Sequence, residues 1–358
     1  MLKILFKNRI DTDTMSGGDS IQMYNTKREL EKLGVKVDVT FSPQKSSRGY
    51  DIVHVFNIMR PFEATLAINE AKRNNVKIVF SSIYWDFSEY NSIGRDSKFH
   101  SLLSDNLSEF SVEKLKDIVR FYNGNINKLE LFKYIVSDYK NTLSHVDLFL
   151  PNSIGEGELI RNKILSDARY SPIYNAVDAD KFKLLSISKN RKGSILAARI
   201  DPRKNILSLV KAIKKYPLDI YGKVAENHQE YFKEIKENSS SLVSFKGFLD
   251  SSLLPEIYNK YIFHIMPSWL ETPGLSQLEA AACGCNIITS NRGSTNEYFG
   301  NMATYCDPSS IESISDALHF ALDNMKTPKE MSEFILDTYI WKNTAEQTLS
   351  AYKMILGD

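Results

Sequence analysis

Short apolar runs alternate with helix-patterned stretches along almost the whole of this 358-residue chain, and the alternation runs twice. Few architectures accept that pattern other than parallel sheets with helices laid on their faces. In the first half, 3–6, 35–40, 51–56, 76–81 and 147–151 read as strands. Residues 20–33 and 62–74 read as helices, and 86–144 as a less regular, largely helical region. The second half restarts with strands at 194–198, 218–221, 243–245, 263–267 and 286–289 and helices at 206–216, 226–237 and 252–260. A polar, irregular stretch, 166–192, separates the halves and is the expected hinge. The fold class is therefore α/β, with two tandem Rossmann-like domains, 1–170 and 171–340, facing each other across a cleft with ligand at the carboxyl ends of the strands. The last helix, 341–358, has no sheet of its own to follow and is expected to cross back to the first domain.

Composition excludes several classes. A net charge of +1 gives no electrostatic reason for a nucleic-acid partner. A neutral total still leaves room for a local basic face, so peripheral contact with the inner membrane surface stays open. The start is too short for a signal-peptide core, and no stretch approaches the roughly 20 apolar residues that span a bilayer. Cys283, Cys285 and Cys306 lack a zinc-like spacing and read as reduced, mostly buried thiols. These readings place the chain in the cytoplasm, peripheral to the membrane at most. The loop after the first strand, Met15-Ser16-Gly17-Gly18-Asp19, has no Gly-x-Gly-x-x-Gly pattern, which argues against a nicotinamide dinucleotide.

The segment Glu271-Thr272-Pro273-Gly274-Leu275-Ser276-Gln277-Leu278-Glu279 carries the most chemistry. Thr272 suits an N-cap and Pro273 the first helical position, so a helix is expected to start there and stop near Gly284. The amides of Gly274, Leu275 and Ser276 would then form an anion site at the helix N-terminus. Glu279, roughly 7–8 Å further along the axis, is placed to hold a ribose. Glu271, just outside the helix, is placed to hold hydroxyls on the other side of a diphosphate. A second basic loop, Ala198-Arg199-Ile200-Asp201-Pro202-Arg203-Lys204-Asn205, follows the first strand of the second half.

Taken together these motifs resemble the family 4 retaining nucleotide-sugar glycosyltransferases with the GT-B fold, over nearly the whole length and most closely across 194–310. The resemblance rests on the Glu271/Glu279 pair, on Arg199 and Lys204, on Ile173-Tyr174-Asn175-Ala176-Val177-Asp178 with Phe182, and on Gly17-Gly18. It implies that Glu271 holds the donor sugar, Glu279 the ribose, and Arg199 and Lys204 the diphosphate, whose charge grows as it leaves. It further implies that the backbone at Gly17 and Gly18 approaches the donor phosphate. Gly222 leaves space near the nucleotide, and Phe248 lines the base pocket. No metal and no cofactor are implied; the donor is a UDP- or GDP-sugar. The acceptor is a glycan or lipid-linked saccharide, in bacterial surface polysaccharide or glycolipid synthesis. Same-face substitution and double displacement both stay open as routes to retention.

Many family members carry a histidine after a first-domain strand, near the donor sugar. The corresponding segment here, Phe80-Ser81-Ser82-Ile83-Tyr84-Trp85-Asp86-Phe87, has none. Tyr84, Trp85 and Asp86 offer aromatic faces and a carboxylate instead and are the candidate acceptor contacts. The missing histidine also keeps a second reading open, a catalytically inactive sugar-nucleotide-binding subunit of a glycosyltransferase complex. An epimerase or phosphorylase would need a different carboxylate–histidine set or a cofactor lysine, and neither is found. The six histidines lack ligand spacing and read as structural.

Overall fold

The computed structural model describes residues 1–12, 17–94, 109–122, 128–185, 190–272 and 274–357. Met15, Ser16, Pro273 and Lys189, and parts of the 86–144 stretch, lie outside the described residues. The chain divides into two units. Met1–Asp86, Lys98–Asn175 and Trp341–Asp358 make the first; Phe87–Ser97 and Ala176–Ile340 make the second. The division at Asn175 falls inside the Ile173–Asp178 motif.

The first unit runs β1 (Lys3–Lys7), α1 (Gly18–Lys32), β2 (Lys36–Thr40), β3 (Ile52–Phe56), α2 (Pro61–Arg73), β4 (Lys77–Ser81), α3 (Glu109–Tyr122), α4 (Lys128–Val136), α5 (Tyr139–Leu143), β5 (Leu148–Phe149) and α6 (Ile154–Leu159). Its strands pair in parallel in the order β2-β1-β3-β4-β5. β3 is buried at all five positions, as a strand covered on both faces must be. One face packs Leu5, Val53, Val55 and Phe80 against α2 and α5. On the other face, Ile4, Phe6 and Val37 meet Ala345, Ala351 and Tyr352 of the last helix, Trp341–Leu356. Tyr352 Oη lies 2.6 Å from His54 Nδ1, and Ser81 Oγ lies 2.8 Å from Nε2. Burial lowers the His54 pKa to about 3, so the ring stays neutral. Lys7 at the end of β1 is also buried; its ammonium is held 2.7 Å from Glu70 and donates to the Pro43 and Lys45 carbonyls.

The second unit runs β6 (Ser194–Ala197), α7 (Ile206–Ala212), β7 (Leu218–Tyr221), α8 (Gln229–Glu237), β8 (Val243–Gly247), α9 (Leu254–Tyr258), β9 (Phe263–Met266), α10 (Leu275–Ala282), β10 (Asn286–Ser290), α11 (Thr295–Phe299), β11 (Ala303–Cys306), α12 (Ile311–Asp323) and α13 (Pro328–Thr338), leaving Trp341–Leu356 as α14. The sheet is parallel, in the order β11-β10-β9-β6-β7-β8. The two-domain parallel α/β reading therefore holds. α7 ends four residues short of the expected Tyr216, ahead of Pro217, which disfavours helical backbone before it. β11, α12 and α13 were not anticipated, although Thr327 and Glu330 form a capping box at the start of α13. Cys283, Cys285 and Cys306 are buried free thiols. No helix among the described residues is long and apolar enough to cross a membrane.

Candidate donor site at the switch point of the second sheet

In the second sheet the strand order reverses between β6 and β9, and in open α/β sheets ligands bind outside the carboxyl ends at such a point. The two motifs singled out above leave the sheet at these strands. After β6 the chain makes a tight turn. Asp201 Oδ1 accepts from the Arg203 amide at 2.9 Å, and the Lys204 amide donates to the Asp201 carbonyl at 2.9 Å. Asn205 closes the turn in left-handed backbone, φ +54°, which asparagine tolerates, and its side-chain Nδ2 donates to the Pro308 carbonyl at 2.7 Å. The Trp269 amide, in the loop leaving β9, donates to the Arg203 carbonyl at 2.9 Å. The two loops are thereby tied together.

That tie brings Lys204 Nζ to 2.5 Å from Glu271 Oε1, with the carboxylate side chain only 8% exposed. Glu271 is held from behind as well. Its carbonyl accepts from the Ser294 amide at 2.9 Å, and Gly293, at φ +77°, passes so close that a Cβ there would lie 2.0 Å from the Glu271 oxygen. Only glycine fits on both counts.

The helix start is corrected by the structure. Thr272 is not the N-cap; Gly274 is, in left-handed backbone at φ +69°, and α10 begins at Leu275. Gly274 also lies against the folded-back side chain of Gln277: a Cβ there would meet its Oε1 at 2.5 Å, while the Gln277 Nε2 donates to Thr289 Oγ1 at 2.7 Å. The amides of Leu275 and Ser276 sit in the first turn, where no intrahelical carbonyl reaches them.

Glu279 lies one turn further on, partly exposed, and no hydrogen bond or ion pair engages its carboxylate among the described residues. Burial pushes its pKa up to about 8, opposed by the charge of Lys181. Arg199, directly after β6, is exposed and likewise unpaired among the described residues. Gly222 has a packing reason of its own: a Cβ there would lie 1.9 Å from the Ala198 carbonyl. Phe248 is 72% exposed beyond β8. Around the ends of β9 and β10 the buried His264 ring nitrogens, Ser268 Oγ, Ser290 Oγ and Gln277 Oε1 have no partner among the described residues. Burial, with Lys204 nearby, lowers the His264 pKa to about 3.

In the first unit Gly17 caps α1 and Gly18 is its first residue. Arg9, just past β1, donates to Asp19 and to Asp11, each at 2.7 Å, beneath this loop. Tyr84 is corrected as a sugar contact: its side chain is buried at 3% exposure and stacks on Phe110. Asp86 pairs with Lys163, and Trp85 is half-buried. The sequence reading missed Arg9, Asp19 and the fully buried Glu156. The spacing Ser153-x-x-Glu156 is a capping-box signal that would have drawn attention to the last of these.

Residues 178–335 match the family model described as Glycosyl transferases group 1. The O-antigen chain mannosyltransferase B of Escherichia coli is 25% identical over 170 residues, 44% of each chain. A serotype-specific mannosyltransferase, WbdA, of the same organism is 25% identical over 292 residues, 73% of this chain and 35% of that one. The chain thus spans less than half the length of these relatives. Among solved structures, a sucrose-phosphate synthase from Thermosynechococcus elongatus superposes with a TM-score of 0.78 over 100% of both chains at 16% identity. Anabaena Alr3699/HepE, solved in complex with UDP and glucose, gives 0.66 at 14% identity, over 99% of this chain and 100% of that one. The match to the group 1 glycosyl transferases thus covers residues 178–335, and the fold of the chain is the two-domain GT-B fold of these solved structures.

Two predictions follow from the geometry. Lys204→Met strands a buried carboxylate and should cost about 2 kcal/mol in urea unfolding, most of it recovered in Lys204→Met/Glu271→Gln. An uncoupled, additive pair would contradict the ion pair. For Glu279, the folded pKa lies above the ordinary 4.5, so the folded state binds the extra proton. Its burden on stability is absent below about pH 4.5, grows as pH rises, and is complete above about pH 8. Glu279→Gln should therefore melt like wild type at pH 5 and above it at pH 9; equal melting at both would refute the raised pKa.

Proposed function

We propose that the chain is a retaining hexosyltransferase that moves a sugar from a nucleoside diphosphate donor to a glycan or lipid-linked saccharide. The observation that carries this reading is the Lys204–Glu271 pair at the β6/β9 switch point, beside the exposed Arg199 and the first-turn amides of α10. Two cations and a helix N-terminus suit a diphosphate. The ammonium of Lys204 and the guanidinium of Arg199 stabilise the charge that develops on the leaving group, the task a divalent metal performs in other transferases. Glu271, oriented by Lys204, takes hydroxyls of the sugar, and Glu279 those of the ribose. That no hydrogen bond or ion pair engages Glu279 among the described residues supports that assignment, because hydroxyl donors would stabilise its ionised form.

In the reaction the acceptor hydroxyl forms a new bond to the anomeric carbon as the bond from that carbon to the diphosphate oxygen breaks. The acceptor proton passes to the departing diphosphate. The relatives, O-antigen and serotype-specific mannosyltransferases, favour a nucleoside-diphosphate mannose among donors and a bacterial surface polysaccharide among products. The UDP bound in the HepE structure keeps UDP-sugars in the test set.

The deciding experiment is nucleotide release from a panel of UDP- and GDP-sugars by the purified chain, with and without simple methyl glycosides as acceptors. Turnover of one donor is expected, reduced at least a hundredfold in Glu271→Gln with free-nucleotide affinity changed only a fewfold. Tight nucleotide binding with no turnover of any donor would overturn the enzyme reading in favour of an inert subunit.

A further inference from the structure

The turn that follows β4 stands where the sequence resemblance leads one to expect a histidine, and its backbone is unusual. Ile83 adopts left-handed backbone, φ +48°, a conformation that β-branched residues rarely take and that persists only where surroundings over-determine it. The surroundings are identifiable. On one side the Ile58 amide donates to the Ser82 carbonyl at 2.8 Å, extending the β3–β4 pairing past the strands. On the other, the carboxylate of Glu156 accepts from Ser82 Oγ and, at 2.8 Å each, from the Tyr84 and Asn152 amides. Glu156 has no exposed surface, nor has Ser82 or Asn152.

Glu156 sits three residues after Ser153, the N-cap of α6, whose Oγ accepts from the Glu156 amide at 3.0 Å. A glutamate at this position ordinarily turns back to the N-cap amide. Here it reaches past the cap to Asn152 and across to the β4 turn. A capping residue has been diverted into a clasp, at a cost: burial raises its pKa to about 7 against all of these hydrogen bonds. A carboxylate kept under such conditions is spent on geometry, and the geometry it holds is Ser82-Ile83-Tyr84.

We propose that Glu156 is a positioning residue, which locks the strained Ser82–Tyr84 turn so that the turn and the half-buried Trp85 form the first unit's contact with the acceptor saccharide. This rests on the glycosyltransferase reading above. Tyr84 serves as the internal anchor through its stacked ring, and Trp85 carries the contact surface.

The test uses the full chain, the donor found to turn over, and methyl glycosides of mannose, glucose and galactose as acceptor probes. Glu156→Gln replaces one acceptor oxygen with a donor that faces other donors. Transfer to the probe should fall at least tenfold, while free-nucleotide affinity, read by calorimetry, and acceptor-independent donor hydrolysis stay within about twofold. Adding Ile83→Gly, which accepts φ +48° without strain, should recover a large part of the lost transfer. Wild-type transfer by Glu156→Gln would overturn the proposal. So would a parallel loss of nucleotide affinity and hydrolysis, or a loss that Ile83→Gly leaves untouched, since either marks Glu156 as a residue of general stability. Absence of donor turnover in the wild-type chain is a separate outcome, which removes the glycosyltransferase reading and this proposal with it.

Discussion

The ion pair between Lys204 and Glu271 is the constraint around which the second unit is arranged. Two opposite charges 2.5 Å apart, one of them almost fully buried, have to be delivered by two loops that leave different strands. The delivery explains otherwise unrelated features: the Asp201 turn, left-handed Asn205, the Trp269-to-Arg203 backbone bond, and a glycine at 293 pressed against the Glu271 carbonyl. A buried pair of this kind contributes little net stability, because desolvation offsets most of the attraction. Its persistence is better accounted for by what it prepares, a fixed ammonium and a fixed carboxylate at the point where a parallel sheet opens towards a ligand.

The first unit solves a similar problem with different parts. Its strand ends are fixed by buried charge–dipole contacts: Lys7 with Glu70 and two carbonyls, Arg9 with Asp19 and Asp11, and Glu156 with the turn after β4. Each replaces hydration with protein donors or acceptors, and each lies at a carboxyl end of the sheet. The apolar faces that hold the sheet, including α14 with its Tyr352–His54 bond, are elsewhere.

Much of this was legible in the sequence. Parallel strands announce themselves as short apolar runs, and nearly every strand was foreseen to within two residues; β11 was not, because Ala303–Cys306 lacks the Val, Ile, Leu or Phe residues that mark the other strands. The Glu271 and Lys204 motifs stood out in the sequence by residue type and spacing, but the ion pair that joins them did not, because it depends on two loops that leave different strands. The start of α10 was misplaced because Thr272 and Pro273 are strong local signals, whereas the helix begins only after Gly274 in left-handed backbone. Tyr84 was misjudged because only the packing of Phe110 shows that its ring points inward. Glu156 is a local motif in sequence and a long-range clasp in three dimensions, which no window of neighbouring residues reveals.

The Lys204–Glu271 site is proposed to make the second unit a binder of nucleoside diphosphates at the β6/β9 switch point. Calorimetric titration of GDP and of UDP into the wild-type chain, Arg199→Ala and Glu279→Ala tests it most directly. Saturable binding of at least one nucleotide is predicted, weakened about tenfold or more in each variant while both remain folded. Binding of the same strength in all three proteins, or none of either nucleotide to the wild-type chain, would contradict it.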